Sequence, residues 1–176
     1  NNYEIDGFNF DVNKAKNLLS SAGYPAGKGF PTVTLQINEG GSTNVILAEA
    51  IQNMLNENLG VNVNIETVPL PTLIERFTSG KADFWRTSWI ADYPDPENFF
   101  KLFYGKLVPE NPTDKSITNA SRFVNNDFDL YFENASSAVD PSEQFEYYKK
   151  CDEILISQAA LMPICYAEYI RLLSLN

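Results

Sequence analysis

The first part of the chain alternates between the hydrophobic spacing of helices and that of strands. Over residues 11–23, apolar side chains recur every three or four positions, which predicts an amphipathic helix. Residues 32–38 and 61–68 alternate apolar and polar side chains, which predicts two strands. The segment 43–59 between them carries a helical apolar stripe. We expect Gly60 to end that helix, because glycine readily adopts the left-handed conformation of a C-cap.

The rest of the chain continues this alternation with elements of unequal length. The pattern predicts a helix at 72–79, a strand at 82–89, a helix at 99–104 after the pair Asp95-Pro96, helices at 126–138 and 141–160, and a closing strand at 161–175. The segment 105–122 is polar, contains Pro109 and Pro112, and is long for a connection within a compact domain. We expect it at the surface, near the mouth of a cleft or at an outer edge.

This order of elements favours an α/β fold in which helices cover a sheet around one shared core. A length of 176 residues suggests a single domain spanning 1–176, and 44% apolar residues provide enough material for a core. The apolar runs are only a few residues long, too short to cross a bilayer.

Charge and composition exclude several classes of function. Thirteen Lys and Arg stand against 23 Asp and Glu, a net charge of −10, which argues against nucleic-acid binding. The absence of histidine excludes Ser–His–Asp triads, Cys–His dyads and most zinc sites. The two cysteines, Cys151 and Cys165, are consistent with buried thiols or with one disulfide, and the sequence leaves both alternatives open.

Few local motifs suggest a cofactor, and we expect none. The turn 40–43 (GGST) resembles a phosphate-binding loop only in its small residues, and a plain helix cap explains it better. Asp92, Asp95 and Glu97 are spaced closely enough to suggest calcium, but prolines interrupt them and the glycine of an EF-hand loop is absent. No feature of the sequence supports a glycosidase pair of carboxylates, which would come from distant segments.

The segment 86–96 (RTSWIADYPDP) is the most informative part of the chain. The predicted strand ends in Trp89, and Asp92 follows in a turn stiffened by two prolines. An indole and a carboxylate would therefore lie at the end of a strand, where open α/β sheets present their ligand crevice. The alternative is a buried tryptophan with Asp92 as the cap of the turn.

A set of short motifs resembles the family 5 extracellular solute-binding proteins, the dipeptide- and oligopeptide-binding components of ABC importers. The motifs are WIADYPDPENFF at 89–100, FDVNKAKNLL at 10–19, AGYP at 22–25, GKADF at 80–84, FVNNDFD at 123–129 and MPI at 162–164. The first proline of the family's exit strand is absent from the last motif. Together the motifs extend over nearly the whole chain in the family's order.

The resemblance implies one lobe of a type II periplasmic-binding-protein fold, with a mixed sheet flanked by helices. It covers only the C-terminal lobe of a two-lobed, Venus-flytrap protein. We therefore expect an excised half, since the chain begins with Asn1 and shows no signal peptide. The implied function is peptide capture for import rather than enzymatic catalysis. The implied partners are the N-terminal lobe and an ABC permease, and the implied location is periplasmic or extracellular, with a lipid anchor in the missing N-terminus.

The resemblance also assigns site residues. Asp92 would pair with the α-ammonium group of the ligand, Trp89 would line the adjacent pocket, and the backbone at Ser88 and Ile90 would bind an extended peptide as a strand does. Arg86 would meet the ligand carboxylate, although a surface or structural role explains it equally well. An oligosaccharide or nickel complex as the ligand, or a carboxylate-based hydrolase, remains the alternative.

Overall fold

Three parallel strands form the sheet of this computed structural model, which describes residues 7–165. The central strand is β1 (Val33–Asn38), with β2 (Val63–Val68) on one side and β3 (Phe84–Trp85) on the other. The α/β class and the first two predicted strands are confirmed. All three described strands are parallel, so the antiparallel member of a mixed sheet is not among them.

The third predicted strand is wrong in length, because β3 contains only two residues. Its register pairs Leu35 with Phe84 and Gln36 with Trp85, and continuing that register would bring Thr87 opposite Asn38, the last residue of β1. The end of β1 thus leaves only residues 88 and 89 of the predicted strand without a partner, while the regular pairing already stops at Trp85 and the chain leaves the sheet after the Arg86 hydrogen bond to Gln36.

Most of the predicted helices are confirmed. The structure has α1 (Val12–Ser21), α2 (Ser42–Leu59), α3 (Leu70–Thr78), α4 (Glu97–Phe100), α5 (Asn126–Ser137) and α6 (Pro141–Ser157), with short 3-10 turns at Pro25–Gly27, Lys101–Phe103 and Gly105–Leu107. As predicted, Gly60 ends α2 in the left-handed conformation, with φ of 68°. The expected helix at 99–104 is instead α4 followed by a 3-10 turn. Within 7–165, no helix is long and apolar enough to cross a membrane.

The buried side chains form two hydrophobic clusters rather than one shared core. The sheet cluster lies between the strands and α2, and its buried members are Leu35, Ile37, Ala48, Val61 and Val63. The helical cluster lies among α4, α5 and α6, and its buried members are Phe100, Phe128, Phe132, Ala135, Tyr148, Cys151 and Leu155. The expectation of a single core is thus wrong, since the chain crosses from one cluster to the other after β3.

The segment 105–122 is exposed in part and anchored in part. Residues 110–115 are exposed, as expected, but the side chains of Ser116 and Asn119 are fully buried. The Asn119 amide donates to the backbone oxygens of Tyr104 (3.1 Å) and Phe123 (2.8 Å). A buried polar side chain with this many partners organises the chain around it. The surface expectation therefore holds for 110–115 and fails for these two residues.

This same segment joins the two clusters. The Ser116 N–H donates to the backbone oxygen of Thr78 at the end of α3 (2.9 Å), and Lys115 forms an ion pair with Glu75 on the same helix. Arg122 adds a hydrogen bond from its guanidinium to the Asp114 backbone oxygen (2.7 Å). The polar connection thus fixes α3, which packs on the sheet, against the start of the helical region.

Three smaller expectations have mixed outcomes. Both cysteines are free, so the alternative of a disulfide is wrong. Cys151 is a buried thiol, as expected, and burial raises its pKa to about 12. Cys165 is exposed rather than buried. The helix cap at 40–43 is Gly41, without a side-chain hydrogen bond, because α2 begins at Ser42. Of the closing strand at 161–175, residues 161–165 have no regular secondary structure, and the remainder lies outside the described residues.

Candidate functional site

All five predicted site residues lie on the connection between β3 and α4, residues 86–96, which we call the site loop. Arg86 follows β3 directly, and its N–H donates to the Gln36 backbone oxygen (3.0 Å), so the loop starts at the edge of the sheet. Its side chain is half-buried and makes no hydrogen bond or ion pair with any residue in 7–165. Ser88, Trp89 and Ile90 are exposed, and none of them belongs to a strand.

Asp92 is exposed and has no internal role in the described part of the chain. Its carboxylate makes no hydrogen bond or ion pair there. The cap of the turn is instead Asp95, whose Oδ1 accepts from the Glu97 N–H (2.8 Å) and whose backbone oxygen accepts from the Asn98 N–H (3.1 Å). The alternative in which Asp92 caps the turn is therefore wrong, and its charge faces solvent.

The other carboxylates near the turn are already engaged. Glu97 accepts a hydrogen bond from the Tyr93 hydroxyl and lies 3.6 Å from the Lys101 ammonium group. This bond to Glu97 raises the pKa of the Tyr93 hydroxyl. Among residues 7–165, no three acidic or cysteine side chains are grouped in a way that could hold a metal ion. Asp92 is thus the carboxylate of this loop that is free to meet a ligand.

The Trp89 side chain is held at one edge and exposed over the rest of its surface. Its indole Nε1–H donates to the Asn98 Oδ1 at 2.6 Å, and Asn98 is only 5% exposed. Trp89 itself is 48% exposed, so the alternative of a buried tryptophan is wrong. An exposed indole with its N–H already paired offers an apolar surface to whatever binds beside Asp92.

The backbone of the site loop is open between its two anchored ends. From Thr87 to Asp92, no backbone group forms a hydrogen bond within the part of the chain that the structure describes. Buried or ligand-bound backbone groups are nearly always paired, and exposed groups such as these can pair with an extended ligand in the manner of an added strand. The loop therefore combines a free carboxylate, an indole surface and free backbone groups.

A residue far along the chain fixes the C-terminal end of the site loop. Tyr148 on α6 is fully buried, stacks on Phe100 with ring centroids 5.1 Å apart, and donates from its hydroxyl to the Asp95 Oδ1 (3.3 Å). Burial and the neighbouring Asp95 charge raise the pKa of the Tyr148 hydroxyl far above its usual range, so it stays a donor. The turn is thereby tied to the helical cluster.

Sequence reasoning missed both Asn98 and Tyr148 as supports of the site. Asn98 lies inside the quoted motif, and its place in the first turn after the prolines was the available signal. Nothing in the sequence indicated the role of Tyr148, because it lies 53 positions from Asp95 and occupies an ordinary apolar position of a helix. Such contacts between distant segments are set by tertiary packing.

Removing the Tyr148 hydroxyl should loosen the turn. We expect Tyr148→Phe to lower the free energy of unfolding by about 1–2 kcal/mol, because it leaves the Asp95 carboxylate without a buried donor while preserving the stacked ring. Tyr147→Phe is the matched control, since among residues 7–165 its hydroxyl bonds only the exposed Glu143 carboxylate (3.2 Å), and its loss should cost less than about 0.5 kcal/mol. Urea unfolding of both variants measures the difference, and equal losses would contradict the anchoring role.

The sequence of the chain matches a known protein family. The family model described as bacterial extracellular solute-binding proteins, family 5 Middle, matches residues 1–111. The periplasmic murein peptide-binding protein MppA of Escherichia coli is 32% identical over 151 residues, which are 86% of this chain and 26% of that protein.

Solved structures agree with the family match. A periplasmic oligopeptide-binding protein of Borrelia burgdorferi superposes with a TM-score of 0.77 at 28% identity, over 89% of this chain and 30% of that one. The binding protein DppA of Helicobacter pylori, in complex with the peptide STSA, gives a TM-score of 0.76 at 27% identity, over 91% of this chain and 30% of that one.

These solved structures confirm the expected fold, one part of a type II periplasmic binding protein. The chain spans only about 26–30% of the length of the three proteins. The family match itself covers well over half of the chain, and it includes the whole site loop with Trp89 and Asp92. The chain therefore belongs to the bacterial extracellular solute-binding proteins of family 5.

Proposed function

We propose that this chain is the C-terminal lobe of a two-lobed protein that captures peptides for import by an ABC transporter. Membership of a solute-binding family supports capture of a solute, and several relatives at 26–32% identity are named as peptide-binding proteins. Because the chain spans little more than a quarter of those relatives, the remaining parts of the cleft come from the rest of the protein.

The observation that carries the proposal is the free carboxylate of Asp92. A charged side chain that stabilises nothing within the described fold, on a loop held at both ends, is suited to an ionic ligand group. We assign it to the α-ammonium group of the peptide. Opposite charges about 4 Å apart attract by about 4 kcal/mol at an effective dielectric constant near 20, before the cost of desolvation is subtracted.

The neighbouring residues complete a site that binds peptides without reading their sequence. Trp89 provides an apolar wall beside the ammonium group, and the open backbone at Ser88 and Ile90 pairs with the backbone of the ligand. Arg86, half-buried at the sheet edge with no side-chain partner in the described residues, is assigned to the ligand carboxylate. Every peptide has these backbone groups and termini, so the site accepts many side chains.

The proposed protein works by binding and release. Closure of the N-terminal lobe over the peptide sequesters it and creates the shape that a membrane permease recognises. No bond is made or broken, so neither catalytic activity nor a cofactor is required, and nucleic acid is not a partner. Relatives named as periplasmic support a location in the periplasm or on the outer face of the membrane, where a lipid anchor outside this chain would hold the protein.

Native mass spectrometry of the full-length protein, purified without refolding, tests the proposal. We expect a series of peptide ligands with free N-termini and varied sequences, released on denaturation. The variant Asp92→Asn, purified in the same way, should retain a much smaller fraction of bound peptide. Recovery of only saccharides or of a metal complex, in equal amounts from parent and variant, would contradict peptide capture.

A further inference from the structure

We propose that Asn98 is a positioning residue for ligand binding, which holds the Trp89 indole in the orientation that a peptide meets. The inference rests on the proposed function, because it assigns a consequence for peptide affinity to a residue that does not itself face the ligand. Asn98 is 5% exposed, whereas Trp89 is 48% exposed, so the buried amide acts through the indole.

Asn98 is fixed much more firmly than the residue it holds. Its N–H donates to the Asp95 backbone oxygen (3.1 Å), and two positions further along α4 the buried Phe100 stacks on Tyr148. Trp89, by contrast, lies on the part of the site loop without backbone hydrogen bonds to the described residues. The 2.6 Å bond from the indole Nε1–H to the Asn98 Oδ1 therefore connects an open loop segment to the rigid helical cluster.

The physical consequence is preorganisation. A half-exposed indole without this bond samples several rotamers, and a ligand that packs against it must then select one of them. Immobilising one such side chain on binding, together with the loss of a well-placed wall, corresponds to a weakening of about 10-fold in affinity. The contribution depends on the acceptor oxygen rather than on the volume of the residue.

Three variants of the full-length protein separate these effects. Asn98→Leu keeps the approximate volume but has no acceptor, whereas Asn98→Asp keeps an oxygen at the Oδ1 position. The matched control is Asn44→Leu, which removes another buried asparagine with one side-chain hydrogen bond, to the Asn38 backbone oxygen (3.1 Å), beside the sheet cluster. It should cost stability without touching the site loop.

Two measurements apply to each variant. In the ligand-free protein labelled with 5-fluorotryptophan, the fluorine resonance of Trp89, assigned by its loss in Trp89→Phe, reports the environment of the indole. Calorimetry with trialanine reports the affinity. We expect Asn98→Leu to shift and broaden the resonance and to weaken trialanine binding about 10-fold. Asn98→Asp should return the resonance toward that of the parent and bind trialanine more tightly than Asn98→Leu, and Asn44→Leu should leave both values at those of the parent.

The two proposals fail in distinguishable ways. The inference is wrong if Asn98→Leu moves the resonance but binds trialanine as tightly as the parent does. It is also wrong if Asn98→Leu weakens binding by the same factor in the parent and in Trp89→Phe, because Asn98 then does not act through the indole. In both cases peptide capture stands. If the parent protein itself binds neither trialanine nor other free peptides, peptide capture is wrong, and the assignment of Asn98 fails with it.

Discussion

Exchanging Asp92 for asparagine in the full-length protein is expected to weaken peptide binding by about 30- to several-thousand-fold. The change preserves the shape of the side chain but removes the negative partner of the ligand ammonium group, and truncating one member of a buried charge pair costs about 2–5 kcal/mol. Stability should hardly change, because Asp92 is exposed and makes no side-chain hydrogen bond within residues 7–165. Calorimetry with free tripeptides measures the loss.

N-acetylated peptides make this test specific to the ammonium group. They lack the charge, so they should bind the parent poorly and lose little more in Asp92→Asn, which isolates the pairwise energy. Asp83→Asn is the matched control, since it makes the same change in net charge at an exposed position just before β3. If Asp92→Asn bound both kinds of peptide with the parent's affinities, the assignment of the ammonium group to Asp92 would fail.

The helices and the two long strands were predictable because their signals are local. The apolar stripe of α2 and the alternation of β1 each lie within one segment, and Gly60 marks a helix end by its own backbone freedom. The long helices α5 and α6 likewise begin at capping residues, Asn125 and Asp140, whose side chains accept from the first turn. None of these features depends on a distant part of the chain.

The length of β3 depends on another strand, and it was therefore predicted wrongly. The pattern over 82–89 is typical of a strand, but a parallel strand forms only where its backbone pairs with a neighbour; the pairing with β1 stops at Trp85, and residues 88 and 89 lie beyond Asn38, the end of β1. The division of the buried residues into two clusters was missed for a similar reason. Periodicity indicates which face of an element is buried, and it does not indicate which elements share that burial.

In the candidate site, too, local features were predictable from the sequence and contacts between distant segments were not. The motif identified the site loop with Trp89 and Asp92, and the structure adds that Asp92 rather than Asp95 is free. The support from Asn98 was within reach of the sequence, nine positions from Trp89, whereas the support from Tyr148 follows only from packing α6 against α4. Local sequence thus indicates the exposed groups of the candidate site more directly than the buried groups that hold them in place.

The isolated 176-residue chain is expected to fold and yet to bind peptides at least about 100-fold more weakly than the full-length protein. Folding is expected because the described residues alone bury two hydrophobic clusters and the segment 105–122 connects them. Weak binding is expected because a ligand site normally encloses most of its ligand, and an exposed loop encloses one side at most. Circular dichroism and calorimetry with the same tripeptides measure the two properties.

Comparing the isolated chain with the full-length protein also shows how much of the binding energy comes from this chain. If the Asp92 pair and the backbone contacts provide part of the affinity, the isolated chain should still prefer free peptides over N-acetylated ones, although the closing lobe that excludes water from the charge pair is missing. Exposure of that pair to water reduces its strength several-fold, which is the physical reason for the expected loss. A folded isolated chain that bound tripeptides as tightly as the full-length protein would mean that the cleft does not need a second lobe, and the two-lobed proposal would be wrong.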